Sequence, residues 1–183
     1  SFGCVRFAGA SIEGVLNCDG AQLLSRKDDA SGQALNADGA TLGAVLLTGK
    51  FKSEGEVRFI GARIARDIDL CGGAILRNEF GCALNLANAE IGGQLIAEGA
   101  KLGGALGLRN ARIARNLDLR GAELTHRMTP RGDVFGRVLD GANMSVGGAA
   151  LLQGANVKGE VFLAVVSIDG YLSFGGGRFI NAG

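Results

Sequence analysis

Apolar residues recur along this chain at offsets of two, three and two, a rhythm that makes neither a 3.6-residue helical stripe nor one long alternating strand. Three segments show it: Val57-Arg58-Phe59-Ile60-Gly61-Ala62-Arg63-Ile64, Leu106-Gly107-Leu108-Arg109-Asn110-Ala111-Arg112-Ile113 and Leu117-Asp118-Leu119-Arg120-Gly121-Ala122-Glu123-Leu124. Each reads apolar, x, apolar, x, Gly or Asn, Ala, x, apolar. The small central residue returns at Ala89, Ala100, Ala111 and Ala122, a spacing of eleven held over four units. Each unit holds two short extended pieces, so four pieces in two units make one four-sided coil.

Aligned this way, the first units centre on Ala10, Ala40, Ala62, Ala89, Ala111, Ala142 and Val166. The second units centre on Ala21, a position near Lys50, Gly73, Ala100, Ala122, Ala155 and Gly177. Ala40 to Ala62 and Ala89 to Ala111 are each 22 residues apart, which predicts an all-β parallel β-helix, a solenoid of about seven coils with roughly 22 residues each. In the second coil a strict eleven turns Lys50 inward, whereas Phe51 is the better core residue. Strands this short have no stability alone, but stacking at about 4.8 Å gives each a backbone partner above and below.

Ala62-Arg63-Ile64, Ala89-Glu90-Ile91, Ala111-Arg112-Ile113 and Ala122-Glu123-Leu124 resemble the Ala-x-Leu-x-x pattern of the pentapeptide-repeat family, over nearly the whole chain. The resemblance implies a right-handed, four-sided β-helix and a bacterial, non-enzymatic interaction or inhibitor protein. The chain departs from that family by alternating five and six residues where the family keeps strict fives.

Composition sharpens the picture. The chain has 183 residues, 32 of them glycine, with one proline and no tryptophan, a composition of closely spaced turns in a single domain. A formal charge of +1 favours neither nucleic acid binding nor an acidic mimic. Equivalent slots of successive coils carry opposite signs, as in Arg63, Glu90 and Arg112, or Glu98 below Arg120 and Lys101 below Glu123. DNA mimicry of the kind that inhibits topoisomerases needs rows of like negative charge, so these ladders disfavour it.

Three insertions interrupt the repeat near residues 24–33, 76–81 and 125–136, each after the second unit of a coil. They are expected to leave one edge of the solenoid two coils apart, where repeat proteins carry binding residues. The candidate binding residues there are Arg26, Lys27, Arg77, Phe80, His126, Arg127, Arg131 and Asp133.

No catalytic residue, metal site or cofactor is expected. His126 is the only histidine, and Cys4, Cys18, Cys71 and Cys82 form no Cys-x-x-Cys pair. Cys18 falls on an inward slot and Cys71 on an outward one. Glycine pairs such as Gly92-Gly93 and Gly147-Gly148 match no phosphate-binding motif and read as coil corners. Threonines out of register exclude an ice-binding face, and a period other than six excludes a hexapeptide acyltransferase.

The function expected is a non-catalytic structural or protein-interaction module. The alternative is a carbohydrate-active or other hydrolytic β-helix enzyme using Asp67, Asp69, Asp118 or Asp133, although Asp69 and Asp118, two coils apart, would be about 10 Å from each other. The expected partners are a protein or flanking domains, or a second copy in an end-to-end homodimer, with no nucleic acid. Neither a transmembrane segment nor a signal peptide is visible, so the cytoplasm is the expected compartment. The repeat begins by Val5 and persists to Phe179, which reads as a piece of a longer protein.

Overall fold

The computed structural model describes residues 4–24, 32–76, 81–125 and 136–180. Every strand pairing in it is parallel, and strands of two to seven residues stack so that each circuit of the chain adds one strand to each of four sides. The protein is a parallel β-helix.

The first side stacks Val5–Arg6, Gln33–Asn36, Glu56–Arg58, Cys82–Asn85, Ala105–Gly107, Arg137–Asp140 and Glu160–Phe162. The fourth side stacks Gln22–Leu24, Lys52–Glu54, Ala74–Ile75, Lys101–Leu102, Glu123–Thr125, Asn156–Lys158 and Arg178–Ile180. The second and third sides are fused at their base because Ser11–Asn17 and Thr41–Leu46 run through the corner unbroken. Thr41–Leu46 pairs with both Arg63–Ile64 and Ile68–Asp69, so the two sides form one continuous sheet. From Leu42 to Val45 is one residue fewer than from Ile12 to Leu16 below or from Ile64 to Ile68 above, so the register shifts on both sides of Thr41–Leu46 at this corner.

The corner between the first and second sides is a turn closed by a backbone bond from the Ala slot to the residue three before it, as in Ala62 N–H to Phe59 O at 3.1 Å. Its third residue needs a left-handed backbone: Gly61 (φ 64°) in the third circuit, Asn88 and Asn110 (φ 58° and 55°) in the next two. Asn tolerates this region, and here it also bonds its neighbours. Asn110 Nδ2 donates to Asn88 Oδ1 at 3.0 Å, and Asn143 Nδ2 to Asn110 Oδ1 at 3.2 Å. Val165 ends the ladder at φ 56°, a strained conformation for a β-branched residue.

The core is a continuous apolar column, and its variations in volume cancel locally. Phe51 rather than Lys50 points inward; Phe51 is 1% exposed, and the left-handed residue of its turn shifts to Gly49. The slot after it holds the small Ser53, whose hydroxyl donates to the Gly55 carbonyl at 2.8 Å. In the sixth circuit the alignment on Ala142 is overturned. Ser145 pairs with Arg112 and Ser167, so Met144 fills the central slot and Ala142 lies in the turn before it. Gly141 then stands where other circuits have Phe59, Leu86 or Leu108, and a methyl group added to it would lie 2.8 Å from Leu163 Cδ2 of the next circuit and 3.3 Å from the Met144 Cε. Large and small residues have exchanged places at constant volume.

Val165→Asn removes the left-handed strain and adds a rung to the ladder above Asn143. We expect it to stabilise the protein by about 1 kcal/mol, read as a higher urea midpoint at unchanged slope.

Candidate functional site

The three insertions open at the same corner, between the fourth side and the first. Leu24 leads out and Gly32 back in at the first opening, Leu76 and Gly81 at the second, Thr125 and Gly136 at the third. Each returning glycine has a left-handed backbone, with φ of 58°, 84° and 56°. The intervening circuits cross this corner tightly through Gly55, Gly103-Gly104 and Gly159. Side chains are excluded there: a Cβ on Gly104 would lie 2.9 Å from Ala83 N and 3.0 Å from the Gly81 carbonyl.

Looped and tight crossings alternate, and the strands that follow differ accordingly. After each looped crossing the first-side strand carries one extra residue, a bulge between Gln33 and Leu35, Cys82 and Leu84, and Arg137 and Leu139. The extra residues Ala34, Ala83 and Val138 are buried. The true repeating unit is therefore two circuits, one bulged and one tight. Its sequence signature is Gly-x-Ala/Val-Leu-Asn/Asp, at Gly32-Gln33-Ala34-Leu35-Asn36, Gly81-Cys82-Ala83-Leu84-Asn85 and Gly136-Arg137-Val138-Leu139-Asp140. The single-coil alignment missed that motif, although these spacings of about two coils are visible in the sequence.

All eight candidate binding residues, Arg26, Lys27, Arg77, Phe80, His126, Arg127, Arg131 and Asp133, lie outside the described residues. The wall beside the openings is described, and it is polar. Glu56, 5% exposed, accepts from Asn85 Nδ2 at 3.0 Å and faces Arg58 Nη1 at 3.6 Å. Arg58 also binds Asp38 at 2.7 Å, whose other oxygen accepts the Ile60 N–H from the next circuit. Higher up, Arg137 lies 3.6 Å from the centre of the Phe162 ring and 3.4 Å from both Glu160 and Asp140. Burial pushes the Glu56 carboxyl above its ordinary range, partly offset by Asn85, Arg58 and Cys82.

Of the acids considered for hydrolysis Asp133 lies outside the described residues, and the other three hold backbone. Asp67 accepts the Gln94 N–H at 2.7 Å, Asp69 the Cys71 N–H at 2.8 Å, and Asp118 the Arg120 N–H at 3.1 Å and its guanidinium at 2.7 Å. Asp69 and Asp118 both pair with Ile96 from opposite sides, which puts them two rows apart, about 10 Å. The charge ladders alternate as the sequence implied: Glu90 lies 3.5 Å from Arg63 and 3.3 Å from Arg112, Arg120 3.2 Å from Glu98, Lys101 3.2 Å from Glu123.

Cys18 packs against the core and Cys71 is exposed. Cys82 donates to the Ala105 carbonyl at 3.4 Å, and burial, reinforced by the Glu56 carboxylate, pushes its thiol far up. Among the described residues no group of three or more His, Cys, Asp or Glu could hold a metal ion, and no helix is long and apolar enough to cross a membrane.

No protein-family model matches the chain, and no curated protein matches it. The geometry alone therefore bears on function.

Two outcomes follow from the wall. A carboxyl whose folded pKa lies above its unfolded value holds its proton more tightly in the native state, so stability is lost as pH rises from the unfolded value through the folded one. Denaturation of Glu56→Gln against wild type between pH 4 and pH 7 should show the wild type losing ground as pH rises, with the difference levelling off once Glu56 is ionised in both states. Under native conditions iodoacetamide should alkylate Cys71 and leave Cys82 unmodified, as read by peptide mass spectrometry.

Proposed function

We propose that the chain is a non-catalytic interaction module, a right-handed solenoid of the pentapeptide-repeat-like kind, which binds a protein partner along its looped corner. The observation that carries this reading is the recurrence of openings at one corner on every second circuit, about 10 Å apart. Rigid coils fix the spacing of the segments, and the segments are free to vary in sequence. Residues 25–31, 77–80 and 126–135 contain the basic Arg26, Lys27, Arg77, Arg127 and Arg131 and the acidic Asp28, Asp29, Glu79 and Asp133 together with Phe80 and Met128, a mixed, slightly basic set suited to a protein partner.

Two features support this reading over its alternatives. Asp67, Asp69 and Asp118 hold backbone N–H groups, which leaves them poorly placed as a hydrolytic pair. Rungs of opposite charge on the outer sides lack the continuous acidity that imitation of a phosphate backbone requires.

A photocrosslinking residue placed at Phe80 or Arg127 should trap one discrete partner in cells that express the protein, and the same residue at Arg66 or Arg115, on the diagonally opposite corner, should trap none. Arg26→Glu with Arg127→Glu should weaken capture roughly tenfold without lowering the melting temperature. Equal trapping from both corners would sink the proposal.

A further inference from the structure

The string Ala-Arg-Ile-Ala-Arg occurs twice, at Ala62-Arg63-Ile64-Ala65-Arg66 and at Ala111-Arg112-Ile113-Ala114-Arg115. The circuit between them reads Ala89-Glu90-Ile91-Gly92-Gly93, and the circuit above reads Met144-Ser145-Val146-Gly147-Gly148. All four strings run along the second side into its corner with the third, diagonally opposite the looped corner. Their residues stack. Glu90 pairs with Arg63 below and with Arg112 above. At the corner the Gly93 N–H donates to the Arg66 carbonyl at 3.1 Å, and the Arg115 N–H donates to the Gly93 carbonyl at 3.0 Å. Arg66 and Arg115 therefore stand two rows apart, about 10 Å.

The charge ladder accounts for Arg63 and Arg112, which lie 3.5 Å and 3.3 Å from Glu90. It does not account for Arg66 and Arg115. Both are exposed, and neither forms an ion pair with a described residue; Arg66 Nε donates to the Gly43 carbonyl at 3.4 Å. Their sequence neighbours Asp67 and Asn116 accept the N–H groups of Gln94 and Ala149. Among the described residues Glu90 is thus the one carboxylate paired within a set of four guanidinium groups, in a chain of formal charge +1.

A groove of about 480 Å³ runs beside these arginines. Its floor is the column Gly92, Ala114 and Gly147, and Glu90, Arg112, Ser145 and Asp169 line it. The stack itself keeps the floor bare, because a Cβ on Gly92 or Gly147 would collide with a carbonyl of the circuit below. Ala65 continues the same column downward, and from Ala65 to Asp169 is four rows, about 19 Å along the solenoid axis.

The groove presents cations and hydrogen-bond acceptors side by side. Guanidinium groups bind carboxylate or phosphate, whereas Glu90 and Asp169 take only donors and repel like charge. Polyphosphate brings anions without donors, and would set them against both carboxylates. An extended acidic peptide spaces the carboxylates of one face about 7 Å apart, out of step with Arg66 and Arg115. A sugar chain that bears carboxylates brings both kinds of group, carboxylates for the arginines and hydroxyls for Glu90 and Asp169.

We infer that this groove binds an acidic polysaccharide laid along the solenoid axis, its carboxylates on Arg66, Arg112 and Arg115 and its hydroxyls on Glu90, Ser145 and Asp169. The site uses no residue of the looped corner and stands or falls separately from it.

Titration calorimetry of the protein with galacturonate oligomers tests this, beside amylose oligomers, polyphosphate, polyglutamate and single-stranded RNA. Galacturonate should bind at least about tenfold more tightly than any of the other four, and its affinity should fall with added salt. Arg66→Ala with Arg115→Ala should weaken that binding at least about tenfold at an unchanged melting temperature, since both side chains lie outside the ion-paired ladder. Ala114→Phe keeps every charge and fills the exposed floor, and it should weaken binding to a similar degree. Failure of galacturonate to bind overturns the inference, as does equal or tighter binding of amylose, polyphosphate, polyglutamate or RNA. Wild-type affinity in either variant overturns it too, because the chain would then lie elsewhere.

Discussion

Everything in this molecule depends on one requirement: a strand of two or three residues keeps its backbone hydrogen bonds only if another circuit lies directly above and below it. The 22-residue period exists to bring equivalent residues back into line, and the closed corners exist to turn the chain without losing the register. That is why left-handed Gly and Asn recur at fixed places, and why the corners bear so many side chain to backbone bonds. Asn36, Asp69, Asn85, Asp118 and Asp140 each satisfy an N–H that the turn would otherwise leave open.

Stacking also constrains volume. A circuit cannot widen without prising its neighbours apart, so a large residue in one slot must be matched by a small one beside it. Phe51 with Ser53 and Met144 with Gly141 are two solutions to the same problem. The same pressure keeps glycine at Gly92 and Gly147, where a Cβ would collide with the carbonyl of Ala65 or Ala114 in the circuit below. Side chains with functional variety are thereby displaced to the corner where the stack tolerates extra chain.

The regular part of the fold was legible because its signal is local and repeated. Ala62, Ala89 and Ala111 recur at a period that only stacked coils explain, and the outward ladders could be paired by counting. Where the counting used similarity of residue type it failed: Ala142 resembles the other small residues, yet the pairing of Ser145 assigns its slot to Met144. The candidate binding residues were legible only as insertions, since a segment outside the repeat has no register from which to infer its position.

The sequence by itself determined the solenoid, its period and the identity of most core columns, because each coil repeats the same short-range preferences for extended pieces and left-handed corners. Only the tertiary structure decided that bulged and tight first-side strands alternate from circuit to circuit. Bulges at Ala34, Ala83 and Val138 exist only relative to the partner strand. It also decided that Glu56, which a linear reading leaves on an ordinary strand, is buried in the wall beside the openings, next to the half-buried Cys82. Both are properties of one circuit laid on another, and nothing within a single coil contains them.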